Sequence, residues 1–219
     1  MRQTSRFSEI IGNKINNYAY HILGCGAIGS SAASQLARCG ASEMYFYDMD
    51  KVSEGNIGVS QYTYKHLGEN KVNALKTICK EIYPEGIYNS IHGEFKEYIP
   101  HISLNDIVIL GFDSMKSRLD AVTRICNCPK KPFAIIDGRM GAEHYQQYNI
   151  TKPSLKKYLE TWYTDDKGSP EPCNAKATSY CSNMSGSFIA NVVRKLVTGQ
   201  PYDREISFNF PTNIIWKKA

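Results

Sequence analysis

Three glycines and two acids carry the first chemical signal in this chain. Gly24-Cys25-Gly26-Ala27-Ile28-Gly29 follows a short apolar run, and an acidic pair, Asp48 and Asp50, stands about 20 residues further on. Such spacing is suited to holding a phosphate. Gly24 permits a tight turn, Gly26 lets backbone approach the anion, Gly29 lets a helix pack on a strand, and Ala27 opens a helix whose N-terminus faces the charge. Asp48 then falls where a ribose hydroxyl would meet it. The chemistry implied is binding of an adenine nucleotide. Read without that context, Asp48 and Asp50 would simply end a strand.

The elements that must position these residues are legible in the apolar patterning. Strands are predicted near Ala19 to Leu23, Glu43 to Tyr47, Ile87 to His92, Asp106 to Leu110, Phe133 to Asp137, Tyr145 to Ile150 and Glu205 to Phe210. Helices are predicted over Ala27 to Arg38, Lys71 to Tyr83, Met115 to Cys126 and Ser182 to Val197. Early alternation of strand and helix implies a Rossmann-like α/β fold: a mainly parallel sheet with helices on both faces and antiparallel additions toward the C-terminus. Pro84 should end one helix, and Gly199 with Pro201 the last. Gly186 and Ala190 on that last helix would admit close approach of another helix. The segment Lys152 to Ala177, rich in Lys, Pro and Gly, is expected to form a mobile crossover over the site.

Further motifs narrow the chemistry. Asp48-Met49-Asp50-Lys51-Val52, Asn56, Gln61 and Leu67-Gly68-Glu69-Asn70-Lys71 resemble the second signature of the ThiF, MoeB and HesA family, bacterial relatives of ubiquitin-activating enzymes. Downstream, Ile107 to Asp113 with Arg118, Ile135 to Gly141, and Pro172-Cys173 before the last helix are similar to later family segments. The resemblance spans essentially the whole chain, as one adenylation domain over residues 1–219. It implies an ATP- and magnesium-dependent adenylyltransferase that activates a carboxylate, usually the C-terminus of a small carrier protein or peptide. By the same resemblance Lys71 touches the phosphates, Asp113 holds magnesium, Asp48 fixes the ribose, and Asn56 and Gln61 orient the triphosphate. Arg6 resembles an N-terminal family arginine that reaches into a neighbouring subunit's site, so a homodimer is expected. Acyl transfer to Cys173 is a further family feature, with Cys181 a weaker candidate for the same role.

Each residue also has a plainer reading. Lys71 opens an amphipathic helix and would be a solvated lysine; Asp113 would cap the helix after it; Asn56 and Gln61 would shape a loop; Arg6 would be a terminal charge. The chain also departs from the family pattern. Val59 stands where the family has a phosphate-contacting arginine, and Gln61 is displaced by one position. Arg139, just past a buried-looking strand, is a substitute cation in the catalytic set, or else a partner of Asp137 or Glu143; Arg118 would pair with Asp113 or Asp120. A degenerate nucleotide-binding subunit and a tRNA-modifying dehydratase-type relative are therefore the alternatives.

Composition supports these readings. The 219 residues fit one α/β domain, and the net charge of +5 is scattered, which points away from DNA. No apolar run is long enough to cross a bilayer, so no membrane partner is expected. Seven cysteines without paired Cys-x-x-Cys motifs predict no zinc, and their odd number without a signal peptide points to a reducing cytoplasm.

Overall fold

The structure, a computed structural model, describes residues 5–95, 102–167 and 177–219. Its centre is set by two largely apolar runs whose buried polar residues, His21 and Asp106, pair with each other at 3.0 Å. Strands β1 (Ala19–Leu23) and β4 (Asp106–Leu110) are buried along nearly their full length, as strands covered on both faces must be. Around them lie β2 (Glu43–Asp48), β3 (Ile87–His92), β5 (Ala134–Gly141), β6 (His144–Thr151), β7 (Glu205–Asn209) and β8 (Ile214–Lys218). These form one sheet in the order β3-β2-β1-β4-β5-β6-β7-β8. Pairings from β3 to β5 are parallel, and those from β5 to β8 antiparallel.

Six α-helices accompany the sheet among the described residues: α1 (Ala27–Arg38), α2 (Glu54–Ile57), α3 (Lys71–Ile82), α4 (Met115–Asn127), α5 (Leu155–Leu159) and α6 (Ser179–Thr198). Helices α1, α3 and α6 cover one face, where Leu36, Leu75 and Val192 join Tyr20 and Phe46. Helices α4 and α5 cover the other, where Val122, Ile125 and Tyr158 meet Leu23 and Val108. The expected fold class is thus the observed one. Gly186 meets α1: a Cβ there would lie 2.3 Å from the Ser31 hydroxyl. Ser182 reinforces the contact by donating to the Ala27 carbonyl at 2.9 Å. Gly199 ends α6 at φ +70°, a left-handed cap.

Strand β8 lies outside the sequence-based expectation. All five of its residues are exposed, so neither face imposes the alternation by which a half-buried strand is read.

Candidate functional site

Strand order fixes where a ligand can sit. The chain runs outward from β1 to β2 and β3, then returns to place β4 on the other side of β1. Loops leaving β1 and β4 therefore diverge at their C-terminal ends, and a crevice opens there. It is a cleft of about 1360 Å³, whose walls include Gly24, Gly26, Ala27, Asp48, Asp50, Asn56, Lys71 and Asp113.

The glycine turn is built as its spacing requires. Gly24 has φ +87°, and a Cβ on Gly29 would stand 1.9 Å from the Gly24 carbonyl oxygen, so strand and helix are in backbone contact. Above Gly26 nothing lies within 4 Å; its flank is open to the cleft. Gly29→Ala is accordingly expected to cost at least the ~1–3 kcal/mol of ordinary overpacking and to lower the melting temperature, whereas Gly26→Ala should melt like the parent. Equal melting of the two variants would contradict this packing.

Asp48 is anchored at both oxygens. It accepts the Cys25 N–H at 2.7 Å and the Asp50 N–H at 2.8 Å, tying the end of β2 to the glycine turn. Burial pushes its carboxyl up, while nearby Lys71 and these two N–H groups pull the other way. Lys71 is no solvated lysine: it is only 8% exposed, and its ammonium lies 2.7 Å from Asp50 Oδ2. Asp113 does not cap α4. Ser114 takes that role by accepting from the Ser117 N–H at 3.2 Å, and Asp165 accepts the Met115 N–H at 3.0 Å. The Asp113 side chain is left exposed on the cleft wall.

Other candidates are placed differently. Asn56 lines the cleft, but its carboxamide oxygen accepts from the Ser53 N–H and hydroxyl, each at 3.0 Å. Gln61 is not among the lining residues: its side chain donates to Asn183 Oδ1 at 2.7 Å on α6. Arg6 is exposed in a short 3-10 turn, Ser5–Phe7, away from the cleft walls. Cys173 lies outside the described residues. Cys181 is fully buried in α6, and Cys25 and Cys79 are likewise buried, with thiols pushed up by burial.

Arg118 and Arg139 form one buried cluster with Asp137. Arg118 donates to Asp137 Oδ1 and to the Phe112 carbonyl, and not to Asp113 or Asp120. Arg139 donates to Asp137 Oδ2 through Nε at 2.9 Å and a terminal nitrogen at 2.7 Å, and to the Thr161 carbonyl at 2.7 Å. Its guanidinium also stacks 4.3 Å from the Tyr148 ring centre and 5.0 Å from that of Tyr163. These commitments, not Glu143, hold Arg139 at the cleft wall. Burial would push the Asp137 carboxyl up, but the two guanidinia and the Tyr158 hydroxyl outweigh it and hold it below the usual carboxylate range.

Several lining residues escaped the motif reading. Tyr47 is packed edge-on against Phe95 and bonded through its hydroxyl to His21 at 3.0 Å; Lys116, Lys167 and Gln146 also face the cleft. Tyr45-Phe46-Tyr47 carried only a strand signal, and Lys167 sits in a turn without a motif. Among the described residues, no group of three or more His, Cys, Asp or Glu is arranged to hold a metal ion, and no helix is long and apolar enough to cross a membrane.

A parallel sheet that reverses its strand order beside a glycine turn is the architecture of Rossmann-like proteins. Within that class the assignment is specific: the ThiF family model matches residues 1–218, and the chain belongs to the ThiF family. It is similar to ubiquitin-like modifier-activating enzyme 5 of Rattus norvegicus, 28% identical over 129 residues covering 52% of this chain and 32% of the relative. The Arabidopsis thaliana protein of that name is 28% identical over 156 residues, covering 68% and 32%. The chain therefore spans about a third of the length of these curated relatives. Among solved structures, E. coli MccB with ATP superposes with a TM-score of 0.76 at 17% identity, covering 96% of this chain and 66% of that one. PaaA gives 0.72 at 15% identity, with coverage of 96% and 66%. At such identities these neighbours establish the shared fold.

Proposed function

We propose that this protein is an ATP-dependent adenylyltransferase that activates the terminal carboxylate of a small protein or peptide as an acyl-adenylate. One observation carries the reading: the glycine turn, Asp48, Asp50, Lys71 and Asp113 converge on a single cleft at the switch point of the sheet. Solved complexes of E. coli MccB with ATP and of the Microcin C7 biosynthetic enzyme MccB with N-formylated MccA support the pairing of nucleotide and acceptor.

The residue types suit that reaction. An ionised carboxylate attacks the α-phosphate without losing a proton, so the protein's task is to align two anions and offset the charge developing toward pyrophosphate. The phosphates approach the N-terminus of α1 over Gly26. Asp48, each of whose oxygens has lone pairs beyond its N–H bond, accepts from the ribose. Lys71, oriented by Asp50, faces the phosphates. Asp113, exposed and released from capping, fits a magnesium ion that takes one carboxylate plus phosphate and water oxygens, and the ion would supply charge neutralisation. With Val59 in place of the family arginine, Lys116 and Lys167 complete the positive lining. Arg139 acts as a positioning residue, clamping β5 to the segment at Thr161. Asn56 orients the triphosphate from α2, while Gln61 braces the segment after α2 against Asn183 of α6. Transfer of the acyl group to Cys173, and completion of the site by Arg6 of a second copy in a homodimer, extend the proposal on the sequence resemblance.

The test is incorporation of labelled pyrophosphate into ATP, with magnesium, after an intact-mass search for a co-purifying acceptor. Exchange that requires the protein or peptide acceptor supports the proposal; exchange stimulated by tRNA alone assigns the dehydratase-type reaction. Val59 on the cleft wall favours one second reading, a nucleotide-binding subunit without catalysis. ATP binding with no exchange under any acceptor would establish it.

A further inference from the structure

At the opposite end of the sheet a second groove, of about 870 Å³, opens between the start of β5, the end of β6 and the C-terminus of α6. That volume is in the range of sites for small organic ligands. It shares no lining residue with the nucleotide cleft. Its floor is apolar, made by Pro132, Phe133, Pro153, Leu196 and Tyr202, and Leu104 stands 66% exposed at its mouth. The Tyr202 hydroxyl is bonded to Thr151 Oγ1 at 2.8 Å, so the floor's polar groups satisfy one another.

The rim is of one charge. Lys131, Lys152 and Lys157 line the groove, and no Asp or Glu is among its described lining residues. Lys157 is held in place: its ammonium donates to the carbonyls of Thr151 and Lys152, each at 3.1 Å. An ammonium has three donors, so one is left for a ligand. Lys152 has φ +49°, a left-handed conformation unusual for a side chain of its size, which the neighbouring structure must impose. An apolar floor beneath three cations without a counter-charge complements a molecule with an apolar body and an anionic end.

We propose that this groove binds an anionic amphiphile, its carboxylate among Lys131, Lys152 and Lys157 and its hydrocarbon body along Phe133 and Leu196. Apolar burial would supply most of the affinity, and the charge-assisted hydrogen bonds the orientation.

The test is a calorimetric titration of the intact protein with decanoate below its micelle concentration, against decanol and decyltrimethylammonium, with the Leu196 methyl signals followed by NMR. Decanoate is expected to saturate and to shift the Leu196 methyls, decanol to bind about tenfold more weakly for want of the charged hydrogen bonds, and the cationic amphiphile not to saturate. Replacing Lys131, Lys152 and Lys157 together by Gln should bring decanoate down to the level of decanol. Leu104→Asp, at an exposed position, should weaken decanoate while preserving the fold. Equal affinities for decanoate and decanol, decanoate binding unchanged in the lysine variant, or shifts confined to the exposed strand at Ile214 and Trp216 would each overturn the assignment.

Discussion

Lys71→Met is expected to lower acceptor-dependent pyrophosphate exchange by roughly 10²–10³-fold, the usual loss when one preorganised group facing transition-state charge is removed. Methionine keeps most of the buried stem of Lys71, whose side chain is 10% exposed. The Asp50 side chain, 57% exposed, can recruit water when its partner goes. The melting temperature should therefore stay near that of the parent while activity collapses. Lys71→Arg should not restore the rate, because a planar fork cannot reproduce a compact ammonium at the head of α3. Exchange at parental rate in Lys71→Met would remove this lysine from the phosphate site.

Asp137→Asn is expected to have the opposite profile, damaging stability first. Asp137 is fully buried between the Arg118 and Arg139 guanidinia, themselves 3% and 4% exposed. Removing one partner of a buried ionic cluster leaves uncompensated charge and costs about 3–5 kcal/mol. At ~2–4 °C per kcal/mol for a domain of this size, the melting temperature should fall by roughly 6–20 °C. The pH dependence has a defined sign. Because the folded state holds the Asp137 carboxyl below its ordinary value, its contribution is present in full above the unfolded pKa of about 3.9 and is lost as pH falls through the lower folded value. The parent should thus show an acid-unfolding slope below about pH 4 that Asp137→Asn lacks in part. Thermal melts at neutral pH and across that acid range check both points; a variant melting with the parent at neutral pH would show the cluster to be energetically idle.

The two expectations divide as they do because local and non-local information enter differently. The glycine turn, the central strands and the helices that pack on them were readable, since each depends on spacing within one segment: a tight strand-to-helix turn needs its glycines at fixed offsets, and a doubly covered strand must be mostly apolar. Asp48 was legible for a related reason, lying at the end of a strand whose direction the alternation of strand and helix dictates; Lys71 was picked out by the family resemblance alone, since its helical pattern reads as a solvated lysine.

Side-chain partnerships were not legible. Ser114, and not its neighbour Asp113, accepts the α4 bond, and that choice turns on backbone direction at one residue. Arg139 had both Asp137 and Glu143 within reach in sequence, and the fold decided for Asp137 by bringing Arg118 and Tyr158 to the same carboxylate. Gln61 was drawn to Asn183, 122 residues away, by the packing of α6 on α1. Strand β8 carried no periodic signal because nothing covers it. By itself the chain's order of residues determined a Rossmann-like sheet, a glycine turn and the acids beside it, all consequences of short-range sterics and burial. Tertiary structure alone decided which charges pair and which face the cleft, because a pair's energy depends on distances that only the closed sheet establishes.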